Sequence, residues 1–343
     1  MHNYNINKIK FIAAIGVVLI HVFAFIDSAY NEPLIELQWP RAIFNYAVPL
    51  FFAITGYILS SKTDSHLMKY AGNIFRLYVS ISLFYYVVSV LMAGLEAWLY
   101  QEEVIEAMLV IIRSKGWRTF VQGTVGSYHL WYLWASWLAI LLFYQFRRMR
   151  LNAWQILILS SVIYLISLHF AEQAIWTDFL RYGGVPKALM YTALGYYIGS
   201  KGAVWKRNII GLILWVAAYT ITFGFIYQGK YLEILFIPVV YSIVAFLNRY
   251  RGHETIFSRW GEFSDQIYLL HALGINVYGL LMFVWPRVFL IDSLTIRVVL
   301  ITLFAMLFSV LVYYPLNKYY LDPMNQLLKK ISIKKSRPNI EMS

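Results

Sequence analysis

Stretches of about twenty mostly apolar residues recur from one end of the chain to the other, and the short segments between them carry most of its charge. A helix needs about 20 apolar residues to cross the ~30 Å hydrocarbon core of a bilayer. On that measure the pattern predicts ten spans, at about 9–29, 41–60, 74–95, 128–147, 153–171, 184–200, 207–227, 231–248, 263–285 and 295–317. The sixth and eighth are short and contain Pro186 and Pro238. No internal repeat, low-complexity tract or soluble appendage interrupts the series. The expectation is an all-α polytopic membrane protein with about ten transmembrane helices, in which residues 1–320 form a single membrane domain and 321–343 a basic cytoplasmic tail.

The basic residues give this series a direction. With the N-terminus in the cytoplasm, the inner segments hold Lys8 and Lys10; Lys62, Lys69 and Arg76; Arg147, Arg148 and Arg150; Lys201, Lys206 and Arg207; Arg249, Arg251 and Arg259; and six more from Lys318 onward. That places 20 of the 29 Lys and Arg residues inside and leaves nine outside, so both termini are read as cytoplasmic. The longest outer segment, about 96–127, carries Glu96, Glu102, Glu103 and Glu106 and is expected to include an amphipathic helix over the outer mouth. The tail lysines, from Lys329 to Lys335, read as a lipid-hugging anchor.

Composition narrows the picture further. The chain has 343 residues, 60% of them hydrophobic and 13% charged, about half the charged fraction of a soluble domain. The net charge of +12 is spread over the loops and forms no basic stripe interleaved with aromatics, so nucleic acid is not expected as a partner. The 28 Tyr and 12 Trp suit interfacial belts and a polar-tipped interior. The absence of cysteine excludes disulfides, thiolate metal sites and a cysteine nucleophile. No metal site is expected, and no cleavable signal peptide is evident.

Four places break the hydrophobic pattern. Lys10 and His21 lie eleven residues apart, three helical turns plus about 20°, so they share one stripe of one helix about 16 Å apart along its axis. An imidazole at membrane depth is a functional hypothesis by default, although Lys10 also fits a snorkelling anchor and His21 a packing residue. The second interruption, Val48-Pro49-Leu50-Phe51-Phe52-Ala53-Ile54-Thr55-Gly56-Tyr57, pairs a proline that opens a backbone carbonyl with a glycine that admits a close neighbour. The third, Tyr128-His129-Leu130-Trp131-Tyr132-Leu133, opens the fourth span with a histidine among belt aromatics. In the fourth, Ser264, Tyr268 and His271 recur at i, i+4 and i+7 on one face of the ninth span, behind Asp265 in its first turn. No phosphate-cradling glycine loop, two-histidine zinc helix or nucleophile elbow is present.

In this order the segments resemble the membrane-bound acyltransferase-3 family, whose members O-acylate sugars of bacterial surface polysaccharides. The family opens with an arginine, ten residues and a histidine, a pattern occupied here by Lys10 and His21. The Val48–Tyr57 segment follows, then Arg76 entering the third span, His129–Leu133, Gly195-Tyr196-Tyr197-Ile198-Gly199, and Ser264–His271. The resemblance covers residues 1 to about 320 and is to the short type without an attached esterase-like domain. Lys10 departs from the family arginine: it keeps the charge but loses the bidentate fork.

The resemblance implies an acetyl or other acyl group carried from cytoplasmic acetyl-CoA (acyl-CoA), a co-substrate and not a bound cofactor, to a hydroxyl of a lipid-linked or surface glycan. It implies a multi-pass protein of the bacterial cytoplasmic (inner) membrane, with membrane lipids as further partners. Lys10 and Arg76 would meet the donor phosphates. His21 would be catalytic, as general base or through a transient acyl-imidazole. His271 and Tyr268 would join it in a supporting or oxyanion role, and His129, Trp131 and Arg181 would bind the acceptor. A glycan transporter or flippase lined by the same polar residues, or a membrane sensor without turnover, is the competing expectation.

Overall fold

The computed structural model describes residues 3–30, 44–170, 184–201, 236–289, 291 and 293–335. Among these residues the chain is helical and no strand occurs. The helices that coincide with expected spans are α1 (Tyr4–Tyr30), α2 (Ala47–Leu59), α3 (Asp64–Leu99), α6 (Trp131–Arg148), α7 (Ala153–Phe170), α8 (Gly184–Lys201), α9 (Phe236–Arg249), α11 (Ser264–Val284) and α13 (Leu294–Leu316). Between them lie α4 (Val104–Ser114), α5 (Trp117–Gln122), α10 (Ile256–Trp260) and α12 (Pro286–Phe289), and α14 (Asp322–Lys335) follows α13. Nine of the ten expected spans coincide with described helices; the seventh, at about 207–227, lies outside the described residues.

The outer faces of these helices show which solvent they meet. On α3, Leu83, Val87, Leu91 and Leu95 recur every fourth residue and are all exposed, as are Leu303, Leu307 and Leu311 on α13. Water would penalise such stripes, whereas lipid tails match them. Five of the described helical stretches are long and apolar enough to cross a membrane, and the helices Ala47–Leu59 and Phe236–Arg249 are shorter apolar segments. The chain is therefore an all-α, multi-pass membrane protein.

Without a hydrophobic drive between helices in lipid, close backbone packing has to hold the bundle. It is tightest between α2 and α8. A Cβ added to Gly56 would sit 1.9 Å from the Thr192 carbonyl oxygen, and one added to Gly195 would sit 1.8 Å from that of Ala53. Gly199 meets Ser60 in the same seam. Pro49 falls in the first turn of α2, where no helical hydrogen bond depends on its missing N–H. It therefore opens no carbonyl in mid-span, and that part of the sequence reading is corrected.

Around this seam α8 also packs on α6 and α7, while α1 packs on α2, α11 and α13. The expected amphipathic segment resolves into α4 and α5. Helix α4 lies back along α3, with Met108 3.1 Å from the Cβ position of Gly94. Gly123 ends α5 in the left-handed region (φ 72°), pressed on Trp134, whose indole N–H donates to the Val121 carbonyl at 3.1 Å. At the other end of the chain, Pro315 within α13 is followed by a π turn over Asn317–Leu321 that runs on into α14. Tyr320 donates to the Ser80 carbonyl at 3.0 Å, tying this continuation to α3, so the expected tail continues a helix as far as Lys335.

Candidate functional site

Three helices and one short turn bring the sequence's isolated histidines together. Helix α1 carries His21, α11 carries His271, and a 3-10 turn at Tyr128–Leu130 delivers His129 to the top of α6. The His21 and His271 rings stack with centroids 5.0 Å apart, and His129 meets His271 at 5.1 Å. His129 and His271 are buried, whereas His21 keeps partial exposure. Against the other side of His21 lies the half-exposed ring of Tyr128, at 4.9 Å.

Hydrogen bonds fix the roles of two of these rings. His271 Nδ1 lies 2.8 Å from the Tyr268 carbonyl oxygen and 3.1 Å from that of Ile267. Carbonyls only accept, so Nδ1 carries the hydrogen and Nε2 of the neutral ring holds a lone pair. That Nε2 is buried and makes no hydrogen bond among the described residues. His129 is the opposite case, because both of its nitrogens are engaged. Nε2 donates to the Leu269 carbonyl at 3.3 Å, and Nδ1 accepts from the Ser127 hydroxyl at 3.0 Å. Tyr85 donates to the same Leu269 carbonyl at 2.8 Å, and the Tyr268 hydroxyl donates to the His129 carbonyl. The turn is thus tied to α11 by two side chains, those of His129 and Tyr268, and Tyr85 ties α3 to the same carbonyl.

A cavity of about 400 Å³ approaches this cluster from the Lys10 end of the bundle. Five helices line it, α1 through Lys10 and four others through a stripe each: Phe51, Thr55 and Ile58 on α2; His66, Tyr70, Asn73 and Leu77 on α3; Tyr132 and Ser136 on α6; Asp265, Tyr268 and Leu269 on α11. Its mouth is polar, with Lys10, His66, Asn73 and Asp265, and its deep end is closed by Tyr132 and Tyr268. The three histidines do not line it. Tyr268 is the shared wall: one side borders the cavity, and its ring lies 5.9 Å from His129 and 6.1 Å from His271.

His21, His271, Tyr268 and His129, picked out separately from the sequence, therefore form one centre, and Lys10 stands at the mouth of the adjoining cavity. Lys10 Nζ is ion-paired with Asp265 at 3.0 Å. Arg76 does not line the cavity but donates to the side chain of Asn73, which does, at 2.5 Å. Trp131 packs near Phe52, at 6.2 Å, and Arg181 lies outside the described residues. Sequence reasoning quoted Thr55 and Tyr132 within its segments without giving either a role, and missed His66, Tyr70, Asn73 and Ser136. The α3 set had a signal, since positions 66, 70, 73 and 77 share one helical face.

A family model described as an acyltransferase domain matches residues 3–314 of the chain. No curated protein and no solved structure gives a significant match.

Proposed function

The chain belongs to the membrane-bound acyltransferase-3 family, and from that premise we propose that it moves an acyl group from cytoplasmic acyl-CoA to a hydroxyl of a lipid-linked or surface glycan, in the inner membrane of a bacterium. The observation that carries this reading is the adjacency of two compartments. A cavity with a cation at its mouth ends on Tyr268, and the far side of Tyr268 is a histidine centre. An anionic donor with a long flexible arm suits the first compartment, and a hydroxyl in need of a base suits the second.

In this reading the donor phosphates meet Lys10, beside Asn73 and its partner Arg76, and the thioester reaches the deep end. The acceptor approaches past Tyr128 to the partly exposed His21, with Trp131 and Arg181 as further acceptor contacts. Displacement of the Tyr268 ring joins the two compartments. The acceptor oxygen attacks the thioester carbonyl carbon while His21 removes its proton. The C–S bond breaks, the ester C–O bond forms, and His21 returns the proton to the departing thiolate to give free CoA. General-base help of this kind contributes about 10²–10⁴-fold.

The neutral tautomer of His271 has no N–H left for an oxyanion, because that hydrogen is held by two backbone carbonyls. The neutral His271 ring, stacked on His21, is suited to hold the His21 ring in place as the proton is taken up. With both nitrogens engaged, His129 serves the site by holding the turn against α11 and not by touching sugar.

Purified protein supplied with radiolabelled acetyl-CoA and a crude lipid-linked glycan tests the reaction. Label in the glycan is the expected result, whereas glycan movement across the bilayer without label would make the protein a transporter. The His21→Gln protein should insert normally and lose at least 10²-fold in rate. Wild-type rates in that variant would overturn the mechanism.

A further inference from the structure

Resting on the acyl-CoA reading above, we infer that a cluster of four hydroxyls, on Thr55, Tyr70, Tyr132 and Ser136, holds the amides of the donor's arm between its phosphates and its thioester. Three helices supply the cluster: α2 gives Thr55, α3 gives Tyr70, and α6 gives Tyr132 and Ser136, one turn apart. Between the polar mouth and Tyr268 the walls are otherwise apolar, with Phe51, Ile54, Leu77 and Leu133 among them. The place of the cluster is set from both ends. The Tyr70 and Tyr132 hydroxyls are near enough to the Asp265 carboxylate, at the mouth, to feel its charge. The Tyr132 ring also meets Tyr268, the wall before the histidine centre, with centroids 5.0 Å apart. The hydroxyls therefore stand between the cation that would hold the phosphates and the centre where the thioester would react.

The hydrogens in this cluster are unevenly committed. Thr55 donates its own to the Phe51 carbonyl at 3.0 Å. Towards Tyr70 and Tyr132, which both interact with its hydroxyl, it can then only accept. Two phenol hydrogens thus converge on one threonine oxygen, and Ser136 lies beside Tyr132 as a further partner. What remains for a ligand is the lone pairs of the tyrosine oxygens and the hydrogen of Ser136, acceptors and a donor side by side. An amide matches that set with one N–H and one C=O, and the pantetheine arm of CoA carries two amides between its pyrophosphate and its sulfur. A hydrocarbon chain in the same space would take water from these hydroxyls and return no hydrogen bond, which is unfavourable for each one left without a partner.

The test measures two inhibitors of acetyl transfer to glycan in membranes carrying wild-type, Tyr70→Phe or Ser136→Ala protein. Free CoA has both the phosphates and the arm, and adenosine 3′,5′-bisphosphate has phosphates and no arm. Each variant deletes one hydroxyl and keeps the rest of the side chain. Loss of one hydrogen bond should weaken inhibition by CoA about 2- to 10-fold and raise the KM for acetyl-CoA in step, with inhibition by the bisphosphate unchanged. Unchanged inhibition by CoA in both variants overturns the inference while the acyl-CoA reading stands. A parallel loss for both inhibitors also overturns it, since the hydroxyls would then only support the cavity. So does a wild type that the bisphosphate does not inhibit, because the phosphates would not be what aligns the arm. If neither variant accumulates, the wild type decides: S-acetylpantetheine should outdo the amide-free S-acetylmercaptoethanol as donor by at least about 10-fold, and equal use of the two overturns the assignment. If acetyl-CoA supports no transfer by the wild type, the underlying reading fails and this inference falls with it.

Discussion

The ammonium of Lys10 shows how far a motif position depends on a neighbour that the motif does not contain. In sequence Lys10 is a lone cation three turns below His21, and in the fold it is paired with Asp265 across α1 and α11 at 3.0 Å. Asp265 is 73% exposed and Lys10 20%, so water screens the pair and it adds little to stability, about 0–1 kcal/mol. Its effect falls on the donor. The Asp265 carboxylate competes with phosphate for Lys10 and adds a negative charge at the cavity mouth. Two charges about 4 Å apart interact by roughly 1 kcal/mol in water, about five-fold in affinity, and by more where solvent is partly excluded. Lys10→Ala should therefore raise the KM for acetyl-CoA about five-fold or more, Lys10→Arg should be tolerated, and Asp265→Asn should lower KM by up to about five-fold. Steady-state kinetics on the three variants checks the signs. A higher KM in Asp265→Asn would make the carboxylate a positioner of Lys10, and an unchanged KM in Lys10→Ala would leave the lysine a topology anchor.

At the scale of the helix, what could be read in the chain depended on whether the information was local. Nine spans followed from local apolar density, and the Ser264, Tyr268 and His271 face followed from helical periodicity; all three of those residues are buried. Tyr132 was visible as a belt aromatic and as part of the His129–Leu133 segment but without a role of its own, because its place depends on α2, α3 and α11 converging on it, which no local pattern encodes. The glycines of α2 and α8 lie between these cases, since small residues announce close packing without naming the partner. The structure pairs Gly56 with Thr192 and Gly195 with Ala53. Gly195→Ala should force these backbones apart and cost about 1–3 kcal/mol or more. Gly72→Ala is the control: its Cβ would find only Arg76 Nη1, at 3.5 Å, and replacing a mid-helix glycine by alanine stabilises by about 0.5–1 kcal/mol. Thermal unfolding in detergent should show Tm falling for the first variant and unchanged or raised for the second. Equal melting of the two would mean that the α2–α8 seam is not where the bundle is held.

The molecule as a whole places the two halves of the proposed reaction toward opposite faces of one bundle. The cavity mouth, at Lys10 and Asn73, lies at the end that the basic loops assign to the cytoplasm, and Tyr128, α4 and α5 lie toward the other. This arrangement lets an impermeant donor and an external acceptor meet without either crossing the membrane. Because the chain has no cysteine, single cysteines report on it directly. Asn73 is exposed at the cavity mouth and Ser114 is exposed at the end of α4. In inside-out vesicles an impermeant maleimide should label Asn73→Cys and not Ser114→Cys, and in right-side-out vesicles the pattern should reverse. Acetyl-CoA should slow labelling of Asn73→Cys by several-fold and leave Ser114→Cys untouched, since a donor in the cavity covers only the first. Labelling of both positions from the same side would contradict the topology. Correct sidedness without protection by acetyl-CoA would keep the topology and remove the donor from this cavity.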